Sequence, residues 1–213
     1  MGLVLLWERY RRWTAGLAVV AWLALLGVGF SLLMRTEVKA GAPAGAPETW
    51  PAGAHAPRVP GRPTLLVFAH PRCACTRATL RNLERVVAHT GGRATVTVIL
   101  ALPADTPADW ERSPLADAAR AIPGVTVLVD HGEAEAKRFG THTSGQALLY
   151  DGSGHLRFAG GLTPGRAHEG DNAGSDAVVA LIDGAAPAVA STAVFGCGLE
   201  NPTSCAPRKG GAR

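Results

Sequence analysis

Charge is scarce in this chain. Only 18% of its 213 residues are Asp, Glu, Lys or Arg, and the formal net charge is +4. The basic residues are scattered, and no Lys/Arg run is long enough to follow a nucleic-acid backbone, which argues against a nucleic-acid partner. Methionine occurs only as Met1 and Met34, so a Met-rich copper-handling surface is excluded. The sequence also lacks a Gly-x-Ser-x-Gly nucleophile elbow, a phosphate-binding loop, a His-Glu-x-x-His helix and any fixed-period repeat. Cysteine is sparse but even, at four, which suits paired thiols in an oxidising compartment. The length allows one or two domains.

One long uncharged stretch is present, from Trp13 to Met34. A helix rises about 1.5 Å per residue, so this stretch matches a hydrocarbon core of roughly 30 Å. Trp7, Tyr10 and Trp13 stand at its entry, where amphipathic rings prefer the interface. Arg9, Arg11 and Arg12 precede it. Arg35 and Lys39 follow it, partly offset by Glu37. The bias predicts residues 1–12 inside, a transmembrane helix over 13–34 and the remainder outside. A cleaved signal peptide is the rival, because Ala40-Gly41-Ala42 resembles a small-residue cleavage site. The apolar run exceeds the roughly 7–15 residues of a signal-peptide core, which favours an anchor. A buried helix of a soluble core would carry polar residues on one face, and this run carries none until its ends.

Residues 35–62 are mostly Ala, Gly and Pro, and their prolines forbid a continuous helix. They read as an extended, semi-stiff spacer, with Trp50 and His55 simply solvated. Residues 63–183 then alternate strand and helix patterns. Strands are expected at Thr64–Ala69, Ala94–Ala101, Val125–Val129, Gly145–Tyr150 and His155–Ala159, the last two joined by an Asp151–Gly154 turn. Helices are expected at Cys75–His89, Pro107–Ile122, Glu133–Phe139 and Asn172–Ile182. The order implies an α/β domain: a mixed, mainly parallel sheet with one antiparallel hairpin, flanked by helices. Residues 184–213 form an Ala/Pro/Gly-rich tail with two cysteines.

This order, with Cys73 directly after the first strand, resembles the thioredoxin superfamily over about Pro63 to Asp183. The anchor, the Cys-x-Cys pair and the later polar loop look most like a group of membrane-anchored thioredoxin-like proteins, RedB-like. The resemblance implies a thioredoxin-like fold behind one transmembrane helix. It also implies a soluble domain facing the periplasm from a bacterial-type inner membrane, and protein thiols or disulfides as partners. No cofactor is implied. Phe68-Ala69-His70-Pro71-Arg72-Cys73-Ala74-Cys75-Thr76 would hold the strand end, the active-site loop and the first helical turn. The chain departs from the family in two places. Cys73-Ala74-Cys75 replaces Cys-x-x-Cys, so that Thr76 falls where the resolving cysteine belongs, or, in a register shifted by one, Arg72 falls at the nucleophile position. Ser144-Gly145-Gln146 occupies the place of the proline before the fourth strand.

The thiolate is the reactive form of cysteine. Cys73 is expected at the N-terminus of the first helix of the domain, where unpaired N–H groups and the dipole favour an anion. Arg72 and Arg77 add positive charge, His70 is a candidate proton donor, and the Thr76 hydroxyl is a candidate donor to the sulfur. A disulfide across one residue closes a small, strained ring and removes almost no loop entropy, so the pair suits exchange better than bracing. Cys73 is read as the nucleophile and Cys75 as its partner. Two alternatives stay open: soft-metal (copper) binding or delivery, with His70 as a third ligand, and a non-catalytic interaction module. Zinc would need Cys197 and Cys205 to fold back onto the pair.

After the fifth strand, Arg166-Ala167-His168-Glu169-Gly170-Asp171-Asn172 packs four ionisable side chains into one loop. His168 is a candidate for lining the site, and Asp171 or Asn172 for capping the last helix. Cys197 and Cys205 are spaced for a local disulfide. A sharper alternative makes one of them a resolving thiol for the Cys73–Cys75 pair.

Overall fold

The computed structural model describes residues 2–37, 39–104 and 106–200. They form two compact units, Met1–Lys39 and Ala40–Arg213. The first is one helix, α1 (Gly2–Glu37). Within it, Tyr10–Met34 are 25 residues long and apolar enough to cross a membrane by length and composition. The described side chains of that window are exposed.

The second unit contains β1 (Thr64–Ala69), α2 (Thr76–Thr90), β2 (Thr95–Leu102), a 3-10 turn (Ala108–Arg112) and α3 (Pro114–Arg120). Then come β3 (Val125–His131), α4 (Ala134–Arg138), β4 (Gln146–Tyr150), β5 (Leu156–Gly161) and α5 (Ala173–Ile182). The sheet order is β3-β2-β1-β4-β5. β1 and β2 run parallel, as do β2 and β3, whereas β4 lies antiparallel to both β1 and β5. The apolar run of β1 is buried on both faces, as a central strand requires. Leu65 and Val67 face α2, α3 and α5 with Leu83, Val98, Phe158 and Val178. Leu66 and Phe68 face the other side with Ile99, Phe139, Leu148 and Tyr150. Each such side chain contributes about 1.5–3 kcal/mol by burial, and truncating Phe68 would cost about 3–5 kcal/mol.

Three expectations change. The helix expected over Pro107–Ile122 breaks at Ser113. Pro114 has no N–H and favours extended backbone in the residue before it; Ser113 is extended (φ −70, ψ 154) and caps α3 by accepting from Ala116 N–H at 3.2 Å. The proposed spacer is not free beyond Ala40. Its backbone bonds to the domain from Gly45 N–H to Gly140 O (2.8 Å), from Trp50 N–H to Gly154 O (2.8 Å) and from Leu156 N–H to Glu48 O (2.8 Å). Trp50 is not solvated; it stands edge-on to Phe139 and Tyr150, each at 5.2 Å between ring centroids. Buried Glu135 accepts from His55 N–H (3.0 Å) and Ala56 N–H (3.1 Å), and pairs with Arg138. Residues 40–62 are therefore a strap. The tail also packs as far as it is described, with Val194 and Leu199 buried.

Candidate active site

The site starts where β1 ends. Its last residue, Ala69, hands the chain to a buried turn, His70-Pro71, and α2 begins at Thr76. Cys73 N–H bonds His70 O (3.0 Å) and Thr76 N–H bonds Cys73 O (3.2 Å), which fixes the turn. Cys75, not Cys73, is the residue that caps α2, and it does so without a side-chain bond. Both cysteines are free thiols. Cys73 is 1% exposed, whereas Cys75 is half-buried. The more accessible sulfur is thus Cys75, whereas the sequence reading made Cys73 the nucleophile. Burial pushes the Cys75 thiol up, as does its neighbour Cys73, while Arg166 draws it down.

Ser144 organises the loop from the far side. It lies just before β4, where the family pattern has proline, and the described backbone has no cis peptide. Its hydroxyl accepts from His70 N–H at 2.7 Å and lies 2.6 Å from the Thr76 hydroxyl. The next residue has φ +92 and approaches α2 so closely that a Cβ would sit 3.0 Å from Thr79 Oγ1; glycine, Gly145, meets both demands.

The other expected participants are placed differently. Thr76 bonds Ser144 rather than a sulfur. His70 accepts from Arg72 N–H through Nδ1 (3.3 Å) and stands edge-on to Trp110 at 5.4 Å. Its Nε2 is buried without a hydrogen-bond partner. Burial lowers its pKa, and Arg72 lowers it further, which favours the neutral ring. The Arg72 guanidinium lies over Trp110 at 4.5 Å and pairs with Asp109 at 3.5 Å. Arg72, Cys73, Arg77, Asp109, Trp110 and Arg112 line a groove of about 830 Å³ beside the loop. His168 is exposed and turns back to its own loop, 2.6 Å from Arg166 O.

Two residues were missed. Arg166, first in the polar loop, points Nη1 at Cys75 Sγ (4.0 Å) and at Gly196 O (3.3 Å). Asn82, buried on α2, anchors that loop by donating to Leu162 O (2.6 Å) and accepting from Gly170 N–H (3.0 Å). A signal existed for Arg166, which opens the polar loop, but none for Asn82, a lone amide in a helix. Asn172, not Asp171, caps α5, accepting from Ser175 N–H at 2.9 Å. Cys197 is disulfide-bonded. The expectation for Cys205 lies outside the described residues. Among the described residues no three of His, Cys, Asp or Glu converge as a metal site.

No protein-family model and no curated protein matches the sequence. Among solved structures, a hypothetical protein from Sinorhizobium meliloti 1021 superimposes with a TM-score of 0.57 at 21% identity, covering 76% of this chain and 94% of that one. An uncharacterised conserved protein from Geobacillus kaustophilus does so with a TM-score of 0.57 at 15% identity, covering 79% and 96%. A secreted disulfide oxidoreductase of Mycobacterium tuberculosis aligns with a TM-score of 0.41 at 16% identity, over 59% and 83%. With its five-stranded mixed sheet flanked by helices and a cysteine loop joining the central strand to the next helix, the second unit has the thioredoxin-like fold, and an N-terminal apolar helix precedes it in the chain.

Proposed function

We propose that this protein is a membrane-anchored thiol–disulfide oxidoreductase whose soluble domain works outside the cytoplasm on protein thiols and disulfides. The observation that carries the reading is the pair of free thiols, Cys73 and Cys75, one residue apart at the start of α2 with the Arg166 guanidinium facing Cys75. Accessibility and the position at the helix cap favour Cys75 as the attacking sulfur, with buried Cys73 as the resolving one. This exchanges the roles assigned from sequence. The arginines before α1 favour the orientation with the N-terminus inside.

Cys75, once deprotonated, attacks one sulfur of a partner disulfide. That S–S bond breaks, a mixed disulfide forms and the first partner thiol leaves with a proton. Cys73 gives up its proton and attacks Cys75 Sγ, forming Cys73–Cys75 and releasing the second partner thiol. Two electrons pass from the dithiol to the partner, and the reverse sequence oxidises a partner dithiol. Arg166 favours the anionic sulfur.

The test is trapping. Cys73→Ser in membranes should hold partner proteins as mixed disulfides through Cys75, released by dithiothreitol, while Cys75→Ser holds few. Equal absence of adducts from both variants, together with stoichiometric copper on the wild type, would replace exchange by the soft-metal reading.

A further inference from the structure

The tail from Phe195 to Leu199 lies against the loop that braces the cysteines. Thr143 and Gly198 form an antiparallel bridge, flanked by Ser144 N–H donating to Cys197 O (2.8 Å) and Leu199 N–H donating to His142 O (2.9 Å). Ser144 is the same residue whose hydroxyl holds the cysteine loop through His70 and Thr76. Arg166 reaches Cys75 Sγ and Gly196 O with one nitrogen. The approach is close enough that a Cβ at Gly196 would sit 1.8 Å from Ser144 O, so only glycine fits there. Cys197 is thus held between Gly196 and Gly198, next to the Gly196 carbonyl that shares the Arg166 guanidinium with Cys75 Sγ.

The redox states differ across that gap. Cys73 and Cys75 are thiols, whereas Cys197 is in a disulfide. A bracing role explains the disulfide poorly, because the described tail is already held by the fully buried Leu199, by Val194 and by the strand bonds above.

We propose that the tail is a built-in redox partner that presents the Cys197 disulfide to Cys75. The proposal rests on the exchange reading and adds its first substrate. Cys75, deprotonated, attacks Cys197 Sγ. The tail S–S bond breaks, and the sulfur formerly bonded to Cys197 leaves and takes up a proton. Cys73 then loses its proton and attacks Cys75 Sγ; Cys73–Cys75 forms and Cys197 leaves as a thiol. The tail disulfide gains two electrons and the dithiol loses two, so no outside oxidant is needed.

Cys205 is the disulfide partner expected from sequence, so the full-length variant Cys73→Ser/Cys205→Ser in detergent keeps only the two cysteines that must meet. One equivalent of diamide should convert most chains to an intramolecular Cys75–Cys197 disulfide, seen by mass mapping of monomers. Cys73→Ala/Cys205→Ser should do the same, which guards against a folding defect peculiar to one variant. Wild type carrying one disulfide per chain should show alkylatable Cys197 appearing at a first-order rate independent of protein concentration. Chains that cross-link only as dimers, or not at all, while Cys75 still takes glutathione from glutathione disulfide, would overturn the proposal and leave the exchange reading standing. Failure of both reactions would overturn the two together.

Discussion

Replacing Ser144 with alanine tests whether the brace behind the cysteine loop has the strength its geometry implies. The residue is fully buried. Removing its hydroxyl leaves His70 N–H without the acceptor it has at 2.7 Å, at a cost of about 1–3 kcal/mol for a buried unsatisfied donor. It also breaks the 2.6 Å bond to the Thr76 hydroxyl, worth about 0.5–1.5 kcal/mol. The sum is about 1.5–4.5 kcal/mol. The two parts separate in a double-mutant cycle. Thr76→Val alone should cost about 1 kcal/mol by the same estimate, because it removes one partner of the shared bond. In the Ser144→Ala background it should cost almost nothing, since the Thr76 hydroxyl is then already orphaned, giving a coupling of about 1 kcal/mol. Urea unfolding of residues 40–213, which form their own compact unit, supplies the free energies. Alkylation of Cys73 should quicken as its loop loosens. A Ser144→Ala loss below about 0.5 kcal/mol, or strict additivity in the cycle, would refute the brace.

Trp50→Ala should destabilise the domain by about 2–4 kcal/mol, since the ring packs on Phe139 and Tyr150, and a free spacer would give no change on urea unfolding. Burial raises the Asp151 carboxyl, but the Ser153 hydroxyl, the backbone N–H groups of His155 and Ser153, and Arg157 outweigh it and hold it down at about 2, against an ordinary 3.8. A depressed carboxyl stabilises fully above its unfolded value and loses that stability as pH falls through its folded one. Asp151→Asn should therefore cost about 1–2 kcal/mol at pH 7 and progressively less from pH 4 down to 2, followed by unfolding at each pH. Arg166→Gln should shift the pH profile of Cys75 alkylation upward, because burial and Cys73 raise that thiol while Arg166 lowers it; an unmoved profile would remove Arg166 from the site.

The fold was legible because its signals are local and periodic. An apolar β1, an amphipathic α2 and a turn at Asp151–Gly154 each announce themselves within a few residues. The break at Ser113–Pro114 was written in the proline, but the flanking apolar spacing masked it. The strap was hidden because Ala, Gly and Pro read as spacer when nothing reveals that Glu135 receives His55 and Ala56 eighty residues away. The cysteine pair was legible from its place after the first strand. The exposure order was not, since it depends on the turn that buries Cys73 and caps α2 with Cys75. Arg166 and Ser144 act across long sequence separations on Cys75 and His70, and no spacing rule connects them.

In the proposed chemistry Cys73 and Cys75 form a reversible exchange pair. Equilibrating the full-length protein in detergent with glutathione redox buffers, then acid-quenching and mapping disulfides by mass, tests it directly. A Cys73–Cys75 disulfide should appear and disappear reversibly across the series, at a potential less negative than the roughly −300 mV typical of structural disulfides. Thiols that stay reduced at Cys73 and Cys75 across the whole series, in protein that remains folded, would contradict it.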